Sequence, residues 1–121
     1  MKKIMKLIKT GATRWVLITK KYAFKFPSLY SYKNFLLGLL ANMQEIEFWS
    51  LKWEKLCPII FYLPFGLLVV MPKCKMLTIE EWNNFNLNNF RISKNGIIPV
   101  ENKRNSFGKF KNKIVAIDYG G

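Results

Sequence analysis

Histidine is missing altogether from the 121 residues, and acidic side chains are scarce: 7 Asp and Glu stand against 20 Lys and Arg, a net charge of +13. The only cysteines, Cys57 and Cys74, do not form a C-x-x-C pair. A zinc site would therefore have to be assembled from carboxylates the chain hardly has. The two thiols are expected to be free and buried, as suits a reducing cytosol. No long apolar run is free of breakers. The longest, residues 56–72, holds Pro58, Pro64 and Gly66, and it falls short of the ~20 residues a membrane-spanning helix needs. The start, MKKIMKLIKTGATRW, opens like a signal peptide, but Lys6 and Lys9 interrupt any apolar core. These absences point to a soluble protein of the cytoplasm with no membrane partner.

What is present favours one compact domain. Half the residues are apolar and 16% are aromatic, enough to pack a core. The chain reads as a basic N-terminal segment over 1–13, strands and a long helix over 14–77, and a short helix, basic loop and final strand over 78–121. RWVLIT (14–19) and YAFKF (22–26) read as strands joined by a turn at Lys20-Lys21, with Pro27 ending the second. A helix is expected over about 33–56. Its apolar face is Leu39, Met43, Ile46, Trp49, Trp53 and Leu56, with Phe35, Leu36, Leu40 and Phe48 widening the stripe so that more than one side is buried. Ile46, Trp49 and Trp53 are expected to pack against the sheet. Pro58 should close the helix. Residues 59–63 and 67–71 follow as strands around a Pro64-Phe65-Gly66 turn. Thr78 and Glu81 form a capping box for a helix over about 79–86, frayed by the Asn-rich stretch 83–89. Residues 93–113 read as loop, and 113–118 as the last strand. The expected fold is α+β: an antiparallel sheet of about five strands with one long packed helix.

One ordered set of residues carries chemistry. Lys25 lies in a strand, in YAFKFP; Glu45 lies on the long helix; a crossing point follows at Met71-Pro72; and after VENKRNS the final strand delivers a lone carboxylate, Asp118, in IDYG. This order resembles the front part of the protein-kinase fold. There a strand lysine neutralises phosphate, a helix glutamate holds that lysine, and an aspartate holds magnesium. The resemblance implies that Lys25, Glu45 and Asp118 take those parts. It also implies that Glu101 stands at the catalytic-base position, Lys103 at the loop lysine, and Ser106 with Asp118 at the metal, with ATP and magnesium as cofactors. The chain departs from the pattern in several ways. No G-x-G-x-x-G loop lies between the first two strands, Gly11 standing alone upstream of them; Glu101 replaces Asp, and Ser106 replaces Asn. No activation loop or helical lobe follows DYGG. The plainer reading makes Glu45 a solvated helix residue and Asp118 the cap of a strand end.

The stretches LLANMQE, LCPII, LPFGLLVVMP and PVENKRNSFGKF further resemble a group of small phage and prophage proteins with a truncated kinase-like core. That resemblance and the charge together imply a non-catalytic inhibitor of the anti-CRISPR type. It would bind a host protein or RNA–protein complex that handles nucleic acid, without cofactor or metal. The contact residues would be Lys2, Lys3, Lys6, Lys9, Lys20 and Lys21, and Lys103, Arg104, Lys109, Lys111 and Lys113; each read singly is a solvated lysine or arginine. Two alternatives stay open. One is a nucleotide-binding, kinase-like phosphotransferase. The other is non-specific binding to nucleic acid, for which the aromatics at core spacing are poor support.

Overall fold

The computed structural model describes residues 6–9, 13–94 and 96–119. Lys2 and Lys3 lie outside them. The fold is α+β. Five antiparallel strands form one sheet in the order β1-β2-β3-β5-β4, comprising β1 (Lys6–Ile8), β2 (Arg14–Ile18), β3 (Tyr22–Pro27), β4 (Phe61–Leu63) and β5 (Leu68–Pro72). β3 is interior. Its Lys25 lies opposite Val16 of β2 and Val69 of β5. The β2–β3 hairpin closes because Thr19 and Tyr22 exchange hydrogen bonds around Lys20-Lys21. β5 is buried along its middle, Val69 to Met71. This agrees with its lack of alternation, which marks a strand covered on both faces.

The long helix α1 (Tyr32–Ser50) starts where Ser31 accepts a hydrogen bond from the Asn34 N–H. It ends six residues before the expected position. Lys52 and Lys55 adopt φ of 60° and 65°, a left-handed backbone that no helix can continue through. Trp53 and Leu56 therefore belong to the following loop. The buried stripe also differs from the apolar one. Gly38, Asn42 and Glu45, spaced by four and three, face inward, whereas Leu36, Leu40 and Met43 are exposed. Ile46 and Trp49, and Trp53 in the loop, are only partly buried against the core. Backbone proximity explains this. A methyl group on Gly38 would collide with the Thr13 carbonyl and Pro27, and one on Gly66 with the Leu39 carbonyl. The helix thus lies too close to β3 and to the 64–66 turn for large side chains on that face. Gly66 has φ of 75°, so glycine is required there for conformation as well as space.

The second half is more structured than its sequence suggests. α2 (Ile79–Asn83) has the expected capping box of Thr78 and Glu81. The Asn-rich stretch does not fray but caps a further helix, α3 (Leu87–Arg91), through Asn86 accepting from the Asn89 N–H. Two hairpins follow, β6 (Ile92–Ser93) with β7 (Gly96–Ile97), and β8 (Phe107–Phe110) with β9 (Lys113–Ala116). Much of 93–113 is therefore not loop, and the last strand stops at Ala116. The main core lies between β5 and this second half. Val69, Met71, Leu77, Phe90, Phe107, Ala116 and Tyr119 pack in one cluster. Among the described residues no helix is long and apolar enough to cross a membrane.

Candidate functional site

Four parts of the chain bring four charges to one place. β3 presents Lys25 on the helix side of the sheet. α1 presents Glu45 one turn beyond Asn42. The segment after β9 turns Asp118 toward the start of β2, where Arg14 sits. Lys25 Nζ lies 3.0 Å from Glu45 Oε2 and 3.2 Å from Oε1, and also donates to the Ile117 carbonyl. Arg14 spans the gap, with one guanidinium nitrogen 2.8 Å from Glu45 Oε1 and the other 2.5 Å from Asp118 Oδ1. Glu45 is fully buried and Lys25 nearly so, while 55% of the Asp118 side chain is exposed. Glu45 is therefore no solvated helix residue. A buried carboxylate without partners would be prohibitively costly; this one has two cations and also accepts the Tyr119 N–H at 3.2 Å.

Neighbouring groups fix the arrangement. Asn42 donates to the carbonyls of Lys25 and Gly66 and accepts from Arg14, tying α1 to β3 and to the 64–66 turn. The Tyr119 hydroxyl donates to the Cys57 carbonyl at 3.0 Å. Burial, reinforced by the Glu45 charge, pushes the Tyr119 phenol well above its ordinary range. Burial works against the charge on Arg14, but Glu45 and Asp118 outweigh it and hold the guanidinium above its usual value.

The other expected residues gather nearby in a different state. Val100 bridges Tyr119, which sets Glu101 beside the Asp118 segment. Glu101 is exposed and paired with Lys103 at 2.8 Å. That hydrogen bond, with the Glu101 charge, raises the Lys103 ammonium. The Ser106 carbonyl accepts from the Ile117 N–H, while its Oγ is buried with no partner. Among the described residues no group of three metal-ligating side chains occurs. Asp118, which the kinase resemblance would make a metal ligand with Ser106, has one carboxylate oxygen on the Arg14 guanidinium.

The basic residues are spread out. Lys6 lies on β1 and Lys9 follows it, its ammonium 4.6 Å from the Trp15 ring centroid. Lys20 and Lys21 occupy the β2–β3 turn, and the Lys21 carbonyl accepts from Lys73. Lys111, at φ of 51°, begins the β8–β9 turn, and Lys113 opens β9. Arg104 reaches the Met76 sulfur. Lys109 is paired with Glu81, and that hydrogen bond holds the Glu81 carboxyl down at about 2. Lys103 and Lys109 are thus partly neutralised inside the protein, which separates them from Lys20, Lys21, Lys111 and Lys113.

Sequence reasoning did not single out Arg14 or Asn42. For Asn42 a signal existed, an amide between apolar residues on a helix. Nothing in the sequence marks the arginine of a strand start as reaching a helix and the segment after β9. The chain matches no family model, no curated protein and no solved structure.

Proposed function

We propose that this is a kinase-like domain that works by binding and not by catalysis, and that it inhibits a host nucleic-acid-handling nucleoprotein in the bacterial cytoplasm. The observation that carries the non-catalytic reading is Arg14. Kinase-like phosphoryl transfer needs the lysine–glutamate pair in place and a carboxylate left to hold the metal. Here the Lys25–Glu45 pair is made, but Arg14 adds a second cation on Glu45 and takes Asp118 as well. Support for the kinase-like part is the sheet order β1-β2-β3-β5-β4, with the helix between β3 and β4, and the Lys25–Glu45 pair. Support for binding is the net charge of +13. Exposed apolar side chains add to it: Phe61, Tyr62 and Leu63 on edge strand β4, with Phe65 beside α1. Such surfaces mark interaction sites.

A second reading, a nucleotide-binding phosphotransferase using ATP and magnesium, is favoured by one observation. The unpartnered Ser106 Oγ lies beside the Asp118 segment, and a buried polar atom without a partner invites a ligand or a water.

The binding reading is tested by titrating duplex DNA and a purified RNA–protein effector complex at several salt concentrations. Affinity should fall steeply with salt, because each neutralised phosphate releases counterions; duplex contacts add about 0.9 each to the log–log slope. Protein carboxylates in the partner would give a shallower slope. Reversing the charges of Lys20, Lys21, Lys111 and Lys113 to Glu should weaken binding at least tenfold and leave the melting temperature unchanged. These four side chains are exposed, and exposed charges contribute little to stability. Salt-independent binding, or full affinity in the quadruple variant, would overturn the assignment of these residues.

A further inference from the structure

Cys57 and Cys74 were expected as two separate buried thiols. The structure places their sulfurs 3.4 Å apart, in hydrogen-bond contact, with Cys57 fully buried and Cys74 partly buried. The two residues face each other across the open end of the β4–β5 hairpin. Cys57 precedes β4 and Cys74 follows β5. The chain at both points is already held: the Cys57 N–H donates to the Ala116 carbonyl, and Lys73 and Lys75, on either side of Cys74, bond to Lys21 and Lys109. The Cys74 Cβ packs closely against Gly108, where an added methyl group would collide with it. Closing that gap to the bonded separation of about 2.0 Å is all the approach a disulfide requires of the sulfurs.

We propose that Cys57 and Cys74 form a reversible disulfide on exposure to a hydroperoxide, with Cys74 as the attacking thiol and Cys57 as the resolving one. The roles follow from accessibility and charge. Cys74 is part-exposed while Cys57 is fully buried, and a nearby cation and a hydrogen bond from the partner thiol favour a thiolate. The hydrogen bond from Cys57, aided by the Lys25 charge, lowers the Cys74 thiol, while the same contact and burial push the Cys57 thiol up.

The Cys74 thiolate attacks one peroxide oxygen and the O–O bond breaks. The leaving hydroxide takes up the proton that Cys74 released, and Cys74 becomes a sulfenic acid. Cys57 sulfur then attacks Cys74 sulfur, the S–O bond breaks, and the hydroxyl group leaves with the Cys57 proton as water. Two thiols are oxidised by two electrons and hydrogen peroxide is reduced to two waters. The product staples the base of the hairpin whose β5 pairs with the Lys25 strand. This inference is independent of the proposed function.

The test is to reduce the full chain, add about one equivalent of hydrogen peroxide, quench, and alkylate with a maleimide under denaturing conditions before intact-mass and peptide analysis. The expected result is a chain lighter by two hydrogens, with both cysteines blocked in one linked peptide pair and both freed by a phosphine. In Cys57→Ser the sulfenic acid should persist at Cys74 and react with dimedone. In Cys74→Ser the remaining Cys57 should resist peroxide. Recovery of both thiols from the oxidised wild type, or over-oxidation of Cys74 with Cys57 still free, would overturn the proposal. The wild-type measurement decides even if a variant fails to fold.

Discussion

Replacing Glu45 by alanine is expected to destabilise the protein by about 3–5 kcal/mol, the range found when one partner of a buried ion pair is removed. The carboxylate is fully buried and faces two cations, Lys25 at 3.0 Å and Arg14 at 2.8 Å. Its loss leaves a nearly buried ammonium whose one remaining partner among the described residues is the Ile117 carbonyl, and it frees the Tyr119 N–H. Glu45→Gln should also be strongly destabilising, because the amide fills the space but neutralises neither cation. A double variant, Glu45→Leu with Lys25→Met, should recover part of the loss, since an apolar pair of similar volume can replace a buried ion pair. Chemical denaturation checks all three. A Glu45→Ala protein within 1 kcal/mol of wild type would show that the charge cluster does not hold the fold together.

Phe107→Ala should be about as damaging, at about 3–5 kcal/mol. The ring is 1% exposed, and its centroid lies 5.0 Å from Phe85, 5.3 Å from Phe90 and 5.6 Å from Trp82. It joins β8 to both short helices, so truncation removes buried area and three aromatic contacts together. Trp49→Ala should cost clearly less, because Trp49 is only partly buried. Denaturation of the two variants side by side tests where the core lies. A larger loss for Trp49 would move it back toward the long helix.

The sheet was legible because its strands carry local signals. RWVLIT and YAFKF are β-branched or aromatic runs flanked by a turn and a proline, and IIFYL and LLVVM bracket Pro-Phe-Gly. β1 was not legible, since Lys-Leu-Ile is three residues in a lysine-rich segment and depends on β2 for its pairing. The end of α1 was misplaced because Lys52 and Lys55 adopt left-handed backbone without being glycine or asparagine. The β8–β9 hairpin was missed because Phe-Gly-Lys-Phe lacks a branched apolar run. Its turn, Lys111-Asn112 with both φ positive, also lacks the usual glycine. For the site, Lys25, Glu45 and Asp118 could be found by their order along the chain. Their closure by Arg14 could not, because it depends on where the end of β9 lands relative to the start of β2. Sequence patterns report such long-range placement only through a resemblance.

Thermal unfolding in magnesium and ATP tests most directly whether the four charges form a closed structural cluster or a nucleotide site. A ligand that binds only the folded state at a hundredfold excess over its Kd stabilises by about 2.7 kcal/mol, roughly ten degrees for a domain of this size. We expect the melting temperature of the wild-type protein to be the same with and without millimolar Mg·ATP, since Arg14 already occupies Asp118. A rise of several degrees that Asp118→Asn abolishes would contradict this and make the cluster a nucleotide-binding site.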